Sequence, residues 1–234
     1  METIKNYFKD LCFSEEGHQY SYKGESVRES VSKIISHFCL PFDVSYYSNK
    51  IAIRENKLQE EVLQEWKETN KESIKKGNSI HNFAEAYFYD RSLKPKNKYE
   101  EAIVRFFNSL PENIIPVFSE YKMFHLKYRF AGTADLILYN KDSGKYIIVD
   151  YKTNKELDKS YNYLLAPFAF LRDSNFMKYT LQLSLYQMCF EQTGVEVESR
   201  KILWLHPSGS FKMRSCKNMG LFLKLWLDEN RGTN

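Results

Sequence analysis

Polar and apolar positions change rhythm several times along this chain, and each change marks an element. Residues 10–28 alternate aromatic and polar side chains around Glu15-Glu16-Gly17 and Lys23-Gly24, which predicts a small hairpin before a helix beginning near Ser30. Residues 44–90 read as mostly helical. Within them, 60–76 is so charged that a solvated helix or a mobile arm is expected, whereas 79–89 is more apolar. A further helix is expected around 99–110, where Pro111-Glu112-Asn113 breaks the pattern, followed by a strand over about 115–126. Two short runs rich in aliphatic and aromatic residues follow, 132–139 and 146–153, separated by the polar segment 140–145; they read as antiparallel strands joined by a hairpin loop. Residues 160–180 are polar and aromatic by turns. A helix over 179–192, a strand over about 195–205 and an amphipathic helix over 219–229 close the pattern.

The two central strands carry the first chemical signal. Tyr146-Ile147-Ile148-Val149 is apolar on both faces, as in a strand covered on each side, yet Asp150 and Lys152 follow directly and Asp135 sits on the preceding strand. Alternation puts Asp150 and Lys152 on one face and Tyr151 on the other. Together the three charges sum to one net negative, and an uncompensated buried charge costs several kcal/mol. A divalent cation would supply the compensation; an Asp-Lys ion pair where the strand meets solvent is the equally open alternative.

Gly132-Thr133-Ala134-Asp135, followed fifteen residues later by Asp150-Tyr151-Lys152-Thr153, resembles the core motif of the PD-(D/E)XK nuclease superfamily, in the form of its RecB-type branch. The residue before the first acid is Ala134 rather than Pro, a departure that RecB-type members share. Upstream, Gly77-Asn78-Ser79-Ile80-His81 with Glu85 resembles the branch's Gly-x-x-x-His element and its following acid. Downstream, Gln182-Leu183-Ser184-Leu185-Tyr186 resembles its Gln-x-x-x-Tyr helix. Tyr20-Ser21-Tyr22 leading to residues 30–35 is similar to the opening of phage exonucleases and the mitochondrial genome maintenance exonuclease. The likeness runs in order from about residue 20 to about 205, and four weak pieces in sequence make a strong one.

The resemblance implies a restriction-endonuclease-like α/β core, a small mixed β-sheet flanked by helices, with a helical N-terminal elaboration. It implies that Asp135, Asp150, the Tyr151 main-chain carbonyl and His81 bind Mg²⁺ or Mn²⁺, and that Lys152 orients or deprotonates the attacking water. Gln182 and Tyr186 would contact DNA or the lysine, with Glu85, Glu120 and Thr153 in support. His81 and Glu85, four apart, share one helical face. Glu120 lies on the strand where the superfamily often has an acid, but alternation does not fix its face. The implied activity is hydrolysis of DNA phosphodiesters leaving a 5′-phosphate, most simply by an exonuclease acting on single strands or DNA ends, in repair, recombination or phage biology. A structure-selective or sequence-specific endonuclease is the alternative, and a non-catalytic nucleic-acid-binding module ranks below it because the acids, lysine and histidine are all retained.

Composition narrows the rest. The 234 residues are most simply one domain, with 1–110 mostly helical and 111–234 the catalytic αβ core, and with no linker or internal repeat. No apolar run approaches the ~20 residues of a membrane helix and the start lacks a signal-peptide core, so a cytoplasmic protein of a bacterium or phage-infected host is expected. A net charge of +4 is too mild to identify a nucleic-acid partner. Local bias is stronger: Lys71, Lys75 and Lys76 precede His81, and Lys155 and Lys159 follow Lys152. The aromatic residues Tyr161, Tyr163, Phe168, Phe170, Phe176 and Tyr179, interleaved with Lys159, Arg172 and Lys178, fit either core packing, the better reading for most of them, or base stacking. Four single cysteines lack the spacing of zinc sites or iron-sulfur clusters, and no Gly-rich nucleotide loop is present.

Overall fold

Where each residue of the central strands points is decided by two separate apolar cores. The computed structural model describes residues 2–14, Gly17 and 19–231. The chain opens with α1 (Glu2–Tyr7) and the strands β1 (Leu11–Ser14), β2 (Gln19–Tyr22) and β3 (Glu25–Ser26), then β4 (Glu29–Ser30) and α2 (Val31–Ser36). Helices α3 (Val44–Glu55), α4 (Gln59–Tyr89) and α5 (Lys98–Asn108) follow. The second half is β5 (Ile114–His125), β6 (Phe130–Asn140), β7 (Lys145–Lys152), α6 (Asn175–Glu191), β8 (Val197–Leu205), β9 (Phe211–Cys216) and α7 (Gly220–Arg231).

The fold is the mixed α/β architecture expected, with corrections in detail. The N-terminal hairpin is a three-stranded meander; Glu15 and Glu16, around which the hairpin was expected, lie outside the described residues. The next strand, β4, runs parallel to β6, so the N-terminal part contributes to the main sheet as well as elaborating it. The charged stretch 60–76 is continuous helix within α4, largely solvated. Helix α6 begins at Asn175, four residues before the expected start, because Ser174 caps it by accepting a hydrogen bond from the Met177 N–H at 3.2 Å. An additional edge strand, β9, pairs antiparallel with β8.

Neighbouring residues on β6, β7 and β8 divide between the two cores, as strand alternation requires. Ile137, Ile148 and Ile202 pack with Leu181, Leu185 and Phe190 of α6. Leu136, Leu138, Val149, Tyr151 and Leu203 pack on the other face with Ile80, Ala84 and Tyr87 of α4 and Ile103 and Phe106 of α5. This double coverage makes the acids on these strands costly to leave unpaired.

Register places them at a fork. Along one edge β6 pairs with β5 from Phe130 to Asn140. On its other edge β4 takes Phe130 and Ala131, while β7 takes Leu136 to Asn140. On that second edge residues 132–135 therefore have no strand beside them, and β7 beyond Val149 pairs with β8 and not with β6. The opening lies between Asp135 and Asp150. Gly132 sits in it for a steric reason: a Cβ there would stand 2.6 Å from the Tyr186 ring and 3.0 Å from Val31.

Two glycines should therefore respond oppositely to alanine. Gly132→Ala forces Tyr186 or the strand to move and is expected to cost about 1–3 kcal/mol. Gly77→Ala, in the middle of α4 with nothing within 4 Å of its Cβ position, should gain about 0.5–1 kcal/mol. Urea unfolding of both variants against wild type measures the contrast.

Candidate active site

Three strands and one helix deliver charged groups to the fork. Asp135 enters from β6, Asp150 and Lys152 from β7, Glu120 from β5 and His81 from α4. His81 Nδ1 stands 3.5 Å from both Glu120 Oε1 and Asp135 Oδ1. One ligand atom from each of these three residues lies within 4.8 Å of the others. The second Asp135 oxygen accepts a hydrogen bond from the Tyr151 N–H at 2.6 Å, so the acid occupies the place a strand carbonyl would have taken. An extended residue sends its N–H and C=O to the same side, which turns the Tyr151 carbonyl toward the gap as well.

Asp150 is buried, and Lys152 pairs with its Oδ2 as same-face geometry requires. Apart from that ion pair, the two buried Asp150 oxygens have no hydrogen-bonding partner among the described residues, and neither does Glu120 Oε1. Glu120 reaches the cluster through a left-handed backbone conformation, φ +47°, unusual for a residue with a Cβ. It lies between Ser119, paired with Leu136, and Tyr121, paired with Ala134. This kink is what alternation cannot foresee, and it brings a residue expected only in support beside His81 and Asp135.

Protonation follows from the imbalance of charge. Three carboxylates face one histidine and one lysine. Asp135 raises the His81 pKa to about 9 against the opposing effect of burial, with Glu120 adding to the rise. Burial raises Asp150 to about 6 despite Lys152, and raises Asp135 as well. Burial alone would lower Lys152, but Asp150 and Asp135 outweigh it and hold the ammonium firmly protonated. The cluster thus retains protons that a dication would displace. Buried hard oxygen donors without hydrogen bonds, one imidazole and surplus negative charge fit Mg²⁺ or Mn²⁺.

The remaining predicted residues surround this cluster without all joining it. Gln182 donates to the Tyr186 hydroxyl at 2.7 Å, and that hydroxyl's pKa is raised mainly by burial and further by Asp150. The ring under the Lys152 ammonium is Tyr179, 4.6 Å away, whose own hydroxyl donates to Asn154 at 2.9 Å. Tyr20 and Thr133 share a hydrogen bond of 3.0 Å at the open edge of β6. Glu85 and Thr153 are half-buried, and their side chains have no hydrogen bond or ion pair among the described residues. Of the aromatic stretch, Phe168 is core, Phe176 and Tyr179 are half-buried, and Tyr161, Tyr163 and Phe170 are exposed. Lys76 lies 5.4 Å from the Tyr99 ring centroid, while Lys71 and Lys75 are exposed.

A family model for the PD-(D/E)XK nuclease superfamily matches residues 36–218, a span that holds every member of the cluster and the Gln182-Tyr186 pair. A search of curated proteins finds no match. No helix among the described residues is long and apolar enough to cross a membrane.

The His81 shift has a stability consequence in chelator. Its folded pKa, about 9, exceeds the unfolded value of 6.5, so protonated His81 contributes fully below pH 6.5 and loses that contribution as pH rises through about 9. Wild type should exceed His81→Gln by on the order of 2 kcal/mol at pH 6, with the gap closing by pH 9.5. Denaturant melts across that range read it directly.

Proposed function

The chain belongs to the PD-(D/E)XK nuclease superfamily, and from that premise we propose a metal-dependent exonuclease of the RecB-type branch that acts on single-stranded DNA or DNA ends. The observation that carries the chemistry is the fork, where Asp135 and Asp150 stand buried on diverging strands beside the half-buried Lys152. Asp135, Asp150, the Tyr151 carbonyl, His81 and Glu120 are the groups that would hold Mg²⁺ or Mn²⁺. The bound ion supplies Lewis acidity, lowering the pKa of water and neutralising charge on the scissile phosphate.

The side chains set the remaining conditions. Lys152, held protonated by its two acids, donates hydrogen bonds and places positive charge beside the phosphate. Were those acids to hold a dication, the anions that sustain its charge would be neutralised and burial would favour the neutral amine, which would suit the same lysine to taking a proton from water. Tyr179 beneath the ammonium fixes its direction through a cation–π contact. The Tyr186 ring over Gly132 closes one side of the fork and Gln182 fixes that ring's hydroxyl.

The preference for single strands draws on the loop after β7. Its exposed rings Tyr161 and Tyr163 each lie against a cation, Lys159 at 5.7 Å and Arg172 at 4.2 Å. Exposed rings with adjacent cations hold unpaired bases without sequence preference, at about 1–3 kcal/mol per stacked base.

Calorimetry with Mn²⁺ tests the ion site. Asp135→Ala should lose binding and Glu120→Gln should bind at least tenfold more weakly; equal affinity in either removes that residue from the site. His81 and Asp150 must shed protons to serve as ligands, so affinity should climb between pH 6 and 9 with proton release visible across buffers of different ionisation heat.

Hydrolysis tests the chemistry. Asp150→Ala and Lys152→Ala should each lower cleavage by roughly 100-fold or more while circular dichroism shows an intact fold; a double variant that keeps metal-dependent hydrolysis sinks the assignment. With wild type and Mg²⁺, end-labelled strands blocked at the 5′ or 3′ end and closed single-stranded circles distinguish the readings. Resistant circles favour the exonuclease, and cut circles favour the endonuclease.

A further inference from the structure

We propose that the cavity beside Glu120, between α1, the end of α4 and the free edge of β5, is a phosphate subsite for the substrate strand next to the scissile bond; this rests on the nuclease reading above. The cavity measures about 350 Å³ and is lined by Lys5, Lys9, Lys122, Phe88, Tyr89 and Glu120 among others. Among the described residues β5 pairs with β6 alone, and six consecutive residues of β5, 117–122, line the cavity, so it runs along an open strand edge. Glu120 belongs to both this wall and the acid cluster, which places the cavity one side chain from the chemistry.

The lysines are positioned by packing rather than by partners. Ile4 and Phe8 of the N-terminal segment are buried, the Phe8 ring meets Tyr121 at 6.1 Å, and the Tyr121 hydroxyl donates to the Ile4 carbonyl. Lys5 and Lys9 each follow one of those anchors, and Lys122 follows Tyr121 itself. None of the three side chains has a hydrogen bond or ion pair among the described residues. Three unpaired cations against one acid leave the lining net positive, which matches a phosphodiester or terminal phosphate. At the same cavity Tyr89, 73 % exposed, offers a ring face to an adjoining base.

The test compares Lys5→Gln/Lys9→Gln/Lys122→Gln with an equal-charge control, Lys94→Gln/Lys96→Gln/Lys217→Gln, built from exposed lysines outside the cavity. Anisotropy of labelled single strands bearing a 5′-phosphate or 5′-hydroxyl, and of closed circles, is measured without metal over a salt series; hydrolysis of the linear strands is followed with Mn²⁺. Relative to the control, the cavity variant should raise Kd tenfold or more and KM in parallel, with kcat within about twofold. Its log–log salt slope should fall by about 2, at roughly 0.7 per phosphate contact on single strands. A penalty shared by all three strands assigns an internal phosphodiester, and one confined to the phosphorylated end assigns a terminal phosphate. A cavity variant indistinguishable from the control overturns the subsite. Wild type that binds through these lysines yet cleaves nothing overturns the nuclease reading alone.

Discussion

Everything at the site depends on the parting of β6 and β7. Two antiparallel strands in mid-sheet satisfy each other's backbone groups, and a gap between them leaves donors and acceptors to be met by something else. Here β4 closes the start of β6 and β7 closes its end, so the gap is confined to residues 132–135. Asp135 meets the Tyr151 N–H across it, which makes the acid part of the sheet's hydrogen bonding and fixes its direction. The helices on either face can then be placed by contact with the strands alone. α6 sets Tyr186 against Gly132, and α4 brings His81 over Tyr151, with ring centroids 5.7 Å apart.

Charge makes the same region unsatisfied on its own. Asp135 and Asp150 are buried beside Glu120, and their pKa values are raised chiefly by that burial, as expected of anions that protein groups do not fully compensate. His81 moves the opposite way for a cation, upward against its burial, because the acids around it dominate. A purely structural ion pair would have matched its charges and satisfied its oxygens. Here three carboxylates face one histidine and one lysine, and both Asp150 oxygens lack a hydrogen bond, an arrangement that fits a cation better than a strand-end salt bridge.

Legibility in the sequence followed how local each signal was. The β6–β7 hairpin was readable because dense aliphatic runs with a polar turn need no distant partner, and the spacing of Asp150 and Lys152 gave their shared face. The early start of α6 was marked by Ser174 at a capping position but masked by Phe176 and Tyr179, which also fit a stacking stretch. β9 was missed: Phe211 to Cys216 is a six-residue strand whose only pairing is with β8. The meander and β4 were blurred for a similar reason, since a two-residue strand parallel to β6 is defined by contact and not by composition. The ring beneath Lys152 was present in the sequence as Tyr179, but only packing distinguishes it from the other aromatics near it.

Glu120 is the instructive exception, because neither period nor propensity places it. A left-handed glutamate inside a strand costs on the order of 1–3 kcal/mol and persists only where its surroundings fix it. Ser119 and Tyr121 on either side keep their pairing with β6, and Tyr121 is tied to α1 by its hydroxyl, so the strand cannot relax by slipping. The kink is therefore held by pairs that have no part in the chemistry. Its result is a carboxylate turned toward His81 on one side while its strand edge borders the lysine cavity on the other. One strained residue thus belongs both to the acid cluster and to the wall of the cavity that Lys5, Lys9 and Lys122 line. Under the proposed function, that shared residue sets where a phosphate backbone held by those lysines would lie relative to the acids.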